Sequence, residues 1–386
     1  MTYTIPVAHG RCRNIFRVQS SIHALSSTAF AITVPGIMAT LTKPTLVHVR
    51  QLESAFGLAG HWALEPIEAG SVNSNFLMRQ DGQRYFLRIY EQQDLAGAMR
   101  EWALVDWLQR FGHPVPRRIA AVSGEAPTIE GKAVGLFECI DGVELCLARV
   151  AKAHMRCIGE LLARQHSWEP QAGLGVGRFA PQGLVRLAER LGQDPRVTND
   201  MSEDIRRARE IVLQNADLYS AALPQAVIHG DLFRDNVRWR TAAASVATGR
   251  HEHGSDQAES ARPDIFTEFP EAVVLDWESA HTGPRLLDVA IVILSWTFRE
   301  SFNWNLAAAC GAAYRSRVTL SDAELARLPD LFAYACARFA LTRIADFHLT
   351  LANGSHPRRH YARFFDRLRV LETLSASELA RNCGLE

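Results

Sequence analysis

The sequence predicts an α+β fold with two lobes, a small antiparallel sheet in the first lobe and mostly helices in the second. The Asp81-Gly82 pair, a strong signal for a hairpin turn, separates two apolar segments that read as strands. A helical pattern follows at 95–111 and ends before Pro114. From Ala151 onward, the chain is mostly helical in pattern.

Length, composition and charge restrict the class of protein. The chain has 386 residues, 47% of them apolar, which is enough for two packed lobes. Lys+Arg and Asp+Glu both number 42, so no excess charge favours a nucleic acid or membrane partner. The seven cysteines form no CxxC pair, and no apolar stretch is long enough to span a membrane. These features favour a cytoplasmic protein, monomer or homodimer, with a small polar substrate.

The N-terminal segment differs from the rest. It is basic and rich in Ser and Thr, with no acidic residue before Glu53, which is typical of a targeting peptide. Because a helical pattern starts just after Met38, we favour a translation start placed too far upstream, so that 1–37 is a disordered or mis-assigned extension. The N-lobe is then 38–141 and the C-lobe 142–386. The first helix is predicted to open at Thr42 and to bury one face: Leu46, Val49, Leu52 and Phe56.

A second unusual segment lies within the C-lobe. Residues 241–270 hold small, polar and charged residues without periodicity, between short apolar strands at 226–228 and 273–275. This composition predicts a disordered surface insertion in a hairpin. His251 and His253 are possible metal ligands, although a solvated loop is the simpler interpretation.

The clearest chemical signal is the run VIHGDLFRDNV at 227–237, a polar loop between two apolar strands. Asp231 and Asn236 have the spacing of a loop in which the Asp accepts a hydroxyl proton and the Asn binds Mg²⁺. A further carboxylate, Asp276, directly follows an apolar strand. Each residue alone has an ordinary explanation as a turn or strand end. Together they predict phosphoryl transfer from ATP with Mg²⁺ held by oxygen ligands.

Two runs, HGDLFRDNV and VVLDWESAHTGPRLLDVA, resemble the aminoglycoside phosphotransferase/choline kinase superfamily. Within it, GSVNSNFLMRQDGQRYFLRIYE, GHPVPRRIA and GKAVGLFECIDG are similar to bacterial homoserine kinases of the non-GHMP type. The likeness runs from about Leu46 to Leu374. It implies a protein-kinase-like fold and an ATP- and Mg²⁺-dependent small-molecule kinase. The acceptor it favours is L-homoserine, which would place the protein in threonine biosynthesis.

The resemblance also implies catalytic and metal-binding roles. Asp231 would orient the substrate hydroxyl and accept its proton. Asn236 and Asp276 would hold Mg²⁺, while Glu278 would be a further metal ligand or a substrate contact. Arg234, beside the base, would grip the charged acceptor or form a salt bridge within the loop.

For the nucleotide, the resemblance implies a set of contacts in the N-lobe. Arg88 would contact the phosphates, with Glu101 as its ion-pair partner, although an ordinary surface ion pair is the alternative. The backbone from Glu138 to Ile140 would bind adenine. The backbone of a polar loop would cover the phosphates: Ser71, Asn73, Ser74 and Asn75.

Supporting residues and rival acceptors complete the predictions. His229 would brace the loop, Asp288 would either anchor it or cap a helix, and Trp277 would be core.

Choline or ethanolamine would need an aromatic cage, for which the chain offers Trp296, Phe298, Phe302 and Trp304. An aminoglycoside would need an acidic wall, and Asp322 with Glu324 is the candidate, unless the pair only starts a helix after Ser321. A pseudokinase without turnover is the alternative outside the enzymes.

Overall fold

The computed structural model describes residues 42–67, 73–169, 174–220, 222–240, 271–349 and 360–386. The predicted extension 1–37, the predicted insertion 241–270 and Ser71 lie outside the described residues. All the described residues belong to one compact unit.

The first lobe is built on a six-stranded antiparallel sheet whose strand order is β1-β2-β3-β6-β4, with β5 paired to β6. Its strands are β1 Ala63–Ile67, β2 Ser74–Gln80, β3 Gln83–Ile89, β4 Arg118–Ile119, β5 Thr128–Ile129 and β6 Lys132–Glu138. The last strand leads directly toward the second lobe.

The predicted hairpin joins β2 to β3. Gln80 pairs with Gln83, and both turn residues between them have positive φ, 46° at Asp81 and 82° at Gly82. Asp and Gly tolerate this left-handed backbone, and a two-residue turn of this kind matches the twist of the flanking strands. The hairpin prediction is confirmed.

Two helices accompany the sheet, α1 Leu46–Ala55 and α2 Leu95–Arg110. The predicted start of α1 was wrong. The backbone N–H of Thr42 donates to Ser74 Oγ and Glu91 Oε1, at 3.1 and 2.9 Å, which holds it against the sheet. Thr45 is the N-cap instead, and Leu46, predicted to be buried, is 80% exposed in the first turn.

The second lobe is mostly helical, as predicted. Its helices are α3 Lys152–His166, α4 Pro181–Gly192, α5 Asn199–Gln214, α6 Leu286–Trp296, α7 Trp304–Arg315, α8 Asp322–Ala326, α9 Leu328–Arg343, α10 Ala362–Leu371 and α11 Ala376–Asn382. All eleven residues of α6 are buried, because its sequence is apolar on every side except at Asp288 and Ser295. No helix among the described residues is both long and apolar enough to cross a membrane.

Two short antiparallel pairs frame the polar loop of this lobe. Strand β7 Gln225–Ile228 pairs with β10 His281–Pro284, and β8 Val237–Arg240 pairs with β9 Glu271–Val274. The strand at 226–228 therefore does not pair with the one at 273–275. The hairpin that brackets 241–270 is formed by β8 and β9.

Candidate active site

Asp288 anchors the loop between β7 and β8. Its carboxylate accepts hydrogen bonds from the backbone N–H groups of His229 and Gly230, at 2.7 and 2.8 Å. Burial would raise the pKa of Asp288, but hydrogen bonds from His166 and Gly230 outweigh burial and lower it. Asp288 therefore anchors the loop, which confirms one of the two predicted alternatives. A buried carboxylate in the first turn of α6 fixes where the loop begins.

His229 braces the loop, as predicted. Its Nδ1 accepts from the backbone N–H of Asp231 at 3.1 Å, so its Nε2 donates to the carbonyl of Leu275 at 2.9 Å. Burial lowers the pKa of His229, which keeps the imidazole neutral. The ring also packs on Trp277, which is core, as predicted. His229 thus connects the polar loop to the end of β9.

Asp231 and Asn236 lie at the two ends of this loop and contact each other. Asn236 Nδ2 donates to the carbonyl of Asp231 at 2.8 Å and lies 3.5 Å from its Oδ2. The backbone N–H of Leu275 donates to the carbonyl of Asn236 at 2.9 Å, which holds Asp276, the next residue along the chain, close to this loop. Burial raises the pKa of Asp231 to about 7, opposed by the charge of Arg338.

Asp276 is held in a left-handed conformation, with φ 61° and ψ 71°, directly after β9. Its Oδ1 lies 2.8 Å from Nη1 of Arg88, which also lies 3.5 Å from Oε1 of Glu101. Arg88 and Glu101 are buried, so the surface ion pair considered from the sequence is wrong. The charge and hydrogen bond of Arg88 outweigh burial and lower the pKa of Asp276.

Glu278 connects the two lobes. Its Oε2 accepts from Nδ2 of Asn73 in the first lobe at 2.9 Å, and its Oε1 accepts from Nη2 of Arg178 in the second at 2.8 Å. Asn73 Oδ1 in turn accepts from the backbone N–H of Glu91 at 3.2 Å. Both oxygens of Glu278 therefore have protein partners. Its role as a metal ligand or substrate contact stays a prediction.

The remaining nucleotide candidates of the first lobe lie along the sheet. Ser74 and Asn75 begin β2, where Asn75 pairs in register with Arg88 of β3. Ser74 donates its hydroxyl to Glu91. Glu138 ends β6, and Ile140 follows it on the way to the second lobe. Their roles toward ATP stay predictions.

Arg234 points toward the segment after the sheet, because its Nη1 donates to the carbonyl of Leu145 at 3.0 Å. The cation found beside Asp231 is instead Arg338 of α9, which donates from Nη1 to the carbonyl of Gly230. Sequence reasoning missed Arg338 and Arg178. For Arg338 a signal was present, a single arginine within the apolar run YACARFAL.

The residues considered for rival acceptors have structural roles. Trp296 donates to the carbonyl of Leu232 at 3.0 Å, and Phe298, Phe302 and Trp304 pack on one another. Arg367 already lies over Phe298 at 4.8 Å. Glu324 pairs with Arg285 at 2.7 Å and forms a capping box with Ser321, which confirms the simpler interpretation of that pair as a helix start.

The oxygen atoms around the loop fit a divalent cation bound with a nucleotide. Because Nδ2 of Asn236 faces the Asp231 carbonyl, its Oδ1 is directed away from that contact. Asp276 supplies a carboxylate beside it. Among the described residues, no three His, Cys, Asp or Glu side chains are grouped to hold a metal by themselves. Mg²⁺ is commonly bound by one or two carboxylates, with phosphates and water as the other ligands, so this donor set fits.

Comparison with known proteins agrees with this geometry. The model of the phosphotransferase enzyme family matches residues 63–247. A homoserine kinase of Phenylobacterium zucineum is 31% identical over 328 residues, covering 82% of this chain and 90% of that protein. This chain belongs to the phosphotransferase enzyme family. A homoserine kinase of Caulobacter sp. strain K31 is also 31% identical, over 76% of this chain and 83% of its own.

The solved structures agree on the fold of this kinase. An amicoumacin kinase in complex with AMP-PNP and Ca²⁺ has a TM-score of 0.61 at 13% identity, covering 86% of this chain and 94% of that one. The predicted two-lobe, protein-kinase-like fold is thereby confirmed. The chain is an ATP-dependent phosphotransferase of the aminoglycoside phosphotransferase/choline kinase superfamily that acts on a hydroxyl group of a small molecule.

Proposed function

We propose that this kinase transfers the γ-phosphoryl group of ATP to the side-chain hydroxyl of L-homoserine, in the cytoplasm, as a step of threonine biosynthesis. The observation that carries the proposal is the contact between Asp231 and Asn236, with Asp276 placed beside them by the Leu275–Asn236 hydrogen bond. The names of the 31% identical relatives support homoserine as the acceptor.

Asp231 acts on the acceptor in this proposal. Its carboxylate orients the homoserine hydroxyl toward the γ-phosphorus and accepts the proton as the new bond forms. Burial raises the pKa of Asp231 to about 7, which brings it close to the pH at which a general base works best. Asp288 accepts from the two backbone N–H groups before Asp231, and His229 accepts from the N–H of Asp231 itself, so the base is held in one position.

Asn236 and Asp276 are the proposed holders of Mg²⁺. A divalent ion at this place would neutralise charge on the transferred phosphoryl group. Glu278 is assigned to the connection between Asn73 and Arg178, since each of its oxygens already accepts a hydrogen bond. That connection joins Asn73 of the first lobe to the second lobe.

Arg88 and the neighbouring loop are the proposed nucleotide contacts. In the free protein Arg88 neutralises Asp276 and Glu101. A guanidinium is always charged and fits two phosphate oxygens with its fork. The backbone from Glu138 to Ile140, where the sheet passes into the second lobe, is proposed for adenine.

The rival acceptors receive less support. The aromatic side chains that would surround a quaternary ammonium are packed against one another and against Arg367. Glu324, half of the acidic wall that an aminoglycoside would need, is neutralised by Arg285.

The test is an acceptor panel, read by coupled ADP release with ATP and Mg²⁺. The panel contains L-homoserine, L-serine, L-threonine, choline, ethanolamine, an aminoglycoside and a hexose. We expect L-homoserine to give a kcat/KM at least about 10²-fold above each other compound, since a site built for one set of polar groups discriminates strongly. A higher kcat/KM with another acceptor refutes the substrate, and ADP release with none of them favours the pseudokinase alternative.

A further inference from the structure

We propose that Arg338 is the residue that binds the carboxylate of the acceptor, and so selects an amino acid over an amino alcohol. This inference rests on the proposed function. It adds a specificity residue from α9 that the sequence motifs do not contain.

Arg338 has hydrogen-bond donors without a partner among the described residues. Arg338 is 2% exposed, and its one hydrogen bond in the described part of the chain goes from Nη1 to the carbonyl of Gly230. No carboxylate of the described residues forms a salt bridge with it, and its buried Nε has no hydrogen-bond partner there. The charge of Asp231 favours the charged guanidinium, but burying a guanidinium whose donors are not all bonded is costly. A ligand carboxylate would satisfy the free donors.

The guanidinium of Arg338 is held in a fixed position. It lies 4.5 Å from the ring centroid of Phe179 and 4.5 Å from that of Phe339. Tyr334, one turn earlier on α9, donates its hydroxyl to the carbonyl of Phe179 at 2.8 Å. The same helix therefore positions the cation and a ring that packs on it. A guanidinium fixed in this way loses little side-chain entropy when it binds a planar carboxylate.

Arg338 lies close to the proposed base, Asp231. Arg338 binds the carbonyl of Gly230, the residue that precedes Asp231, and its charge opposes the effect of burial on the pKa of Asp231. In homoserine three carbons separate the hydroxyl oxygen from the carboxylate carbon, a span of about 5 Å when extended. The cation that binds this carboxylate must therefore lie close to Asp231.

The other arginines near the loop already have partners. Arg88 pairs with Asp276 and Glu101, and Arg178 pairs with Glu278. Arg234, which the sequence suggested for gripping the acceptor, donates to the carbonyl of Leu145. Arg234 and Arg338 both donate to a neutral carbonyl, but Arg338 is the one whose charge acts on Asp231.

The experiment compares two acceptors in the full-length enzyme. L-homoserine and 3-aminopropan-1-ol both carry the hydroxyl and the amino group, but only homoserine carries the carboxylate. The variants are R338Q, which removes the charge, and R338K, which keeps the charge without the fork. R367Q is the matched control, because Arg367 is also a buried arginine that donates to a carbonyl, that of Leu294, and packs on aromatic rings.

We expect R338Q to lower kcat/KM for L-homoserine about 10²-fold or more, mainly by raising KM, and R338K to lower it about 10-fold. The kcat/KM for 3-aminopropan-1-ol should also fall, because both variants change the contact with the Gly230 carbonyl and the charge beside Asp231, but by a factor at least about threefold smaller than that for L-homoserine in the same variant. R367Q should change both acceptors by the same factor.

Equal losses for both acceptors in R338Q and R338K would overturn the proposal, because a loop brace affects every acceptor alike. No loss for either acceptor would overturn it as well. Failure of the proposed function has a different signature, namely an unsubstituted enzyme that does not phosphorylate L-homoserine at all. If R338Q does not fold, R338K decides the outcome through the same ratio of the two acceptors.

Discussion

Nη1 of Arg88 lies 2.8 Å from Oδ1 of Asp276, so a buried cation of the first lobe pairs with a carboxylate of the second. The pair crosses the two lobes at the place proposed for the nucleotide phosphates. In a nucleotide complex, phosphate oxygens would compete with Asp276 for Arg88, and the cation would compete with Arg88 for Asp276. We therefore expect ATP and its cation to replace this ion pair when they bind.

The first prediction concerns Arg88. R88M should raise KM for ATP at least about 10-fold, because a charge-assisted contact to phosphate is lost. R88K should recover part of this loss, since lysine keeps the charge but not the two-pronged geometry. Initial rates against ATP at saturating homoserine provide the measurement. An unchanged KM for ATP in R88M would show that Arg88 has only the structural pairing with Glu101 and Asp276.

The second prediction separates the bridging role of Glu278 from the metal role. E278Q and N73A should each raise KM for ATP, by about threefold to tenfold, and the double variant should show little further increase. Both act on the same hydrogen bond, since E278Q replaces its charged acceptor by a neutral one and N73A removes its donor. The Mg²⁺ concentration for half-maximal rate should stay unchanged in all three. An increase of that concentration in E278Q but not in N73A would make Glu278 a metal ligand.

A third prediction concerns Asp276. D276N should raise the Mg²⁺ concentration for half-maximal rate at least about 10-fold, because one charged oxygen ligand becomes neutral. D217N is the matched control, since Asp217 also pairs with an arginine, Arg327, but on the surface. Metal titrations of the rate at saturating ATP distinguish the two. Equal metal dependence in D276N and the original enzyme would remove Asp276 from the proposed site.

The fourth prediction is a pH effect on stability. Asp288 has a pKa lowered below its ordinary value of 3.8, so it binds a proton less readily when the protein is folded. Its contribution to stability is therefore complete above about pH 5 and is lost as pH falls through its lowered pKa. D288N should unfold at lower urea than the original enzyme at pH 7, and the difference should shrink below about pH 4. A difference that is constant with pH would contradict the anchoring role.

The sequence predicted much of the fold because the local signals agreed with the final structure. The Asp81-Gly82 turn, the helical pattern of α2 and the alternation of strand and loop around Asp231 all depend on neighbouring residues. Leu46 was predicted to be buried but is exposed in the first turn of α1. The start of that helix was misplaced because Thr42 binds Ser74 and Glu91, which lie far along the chain. Tertiary contacts of this kind leave no periodic pattern.

The site was predictable where its residues share a motif and unpredictable where they do not. Asp231, Asn236 and Asp276 lie in two short runs with apolar strands beside them. Arg338 reaches the same place from α9, and only the packing of that helix under the loop brings it there. The direction of Arg234, toward Leu145, likewise depends on a segment about ninety residues earlier.

The most direct test of the account is the rate of D231N with L-homoserine, measured by coupled ADP release together with its affinity for ATP. D106N, whose carboxylate pairs with Arg118 in the first lobe, is the control for a substitution of the same size. We predict that D231N loses about 10³-fold or more in kcat while its affinity for ATP changes little, and that D106N keeps its rate. Turnover of D231N at the rate of the original enzyme would contradict the assignment of Asp231 as the base that orients the acceptor hydroxyl.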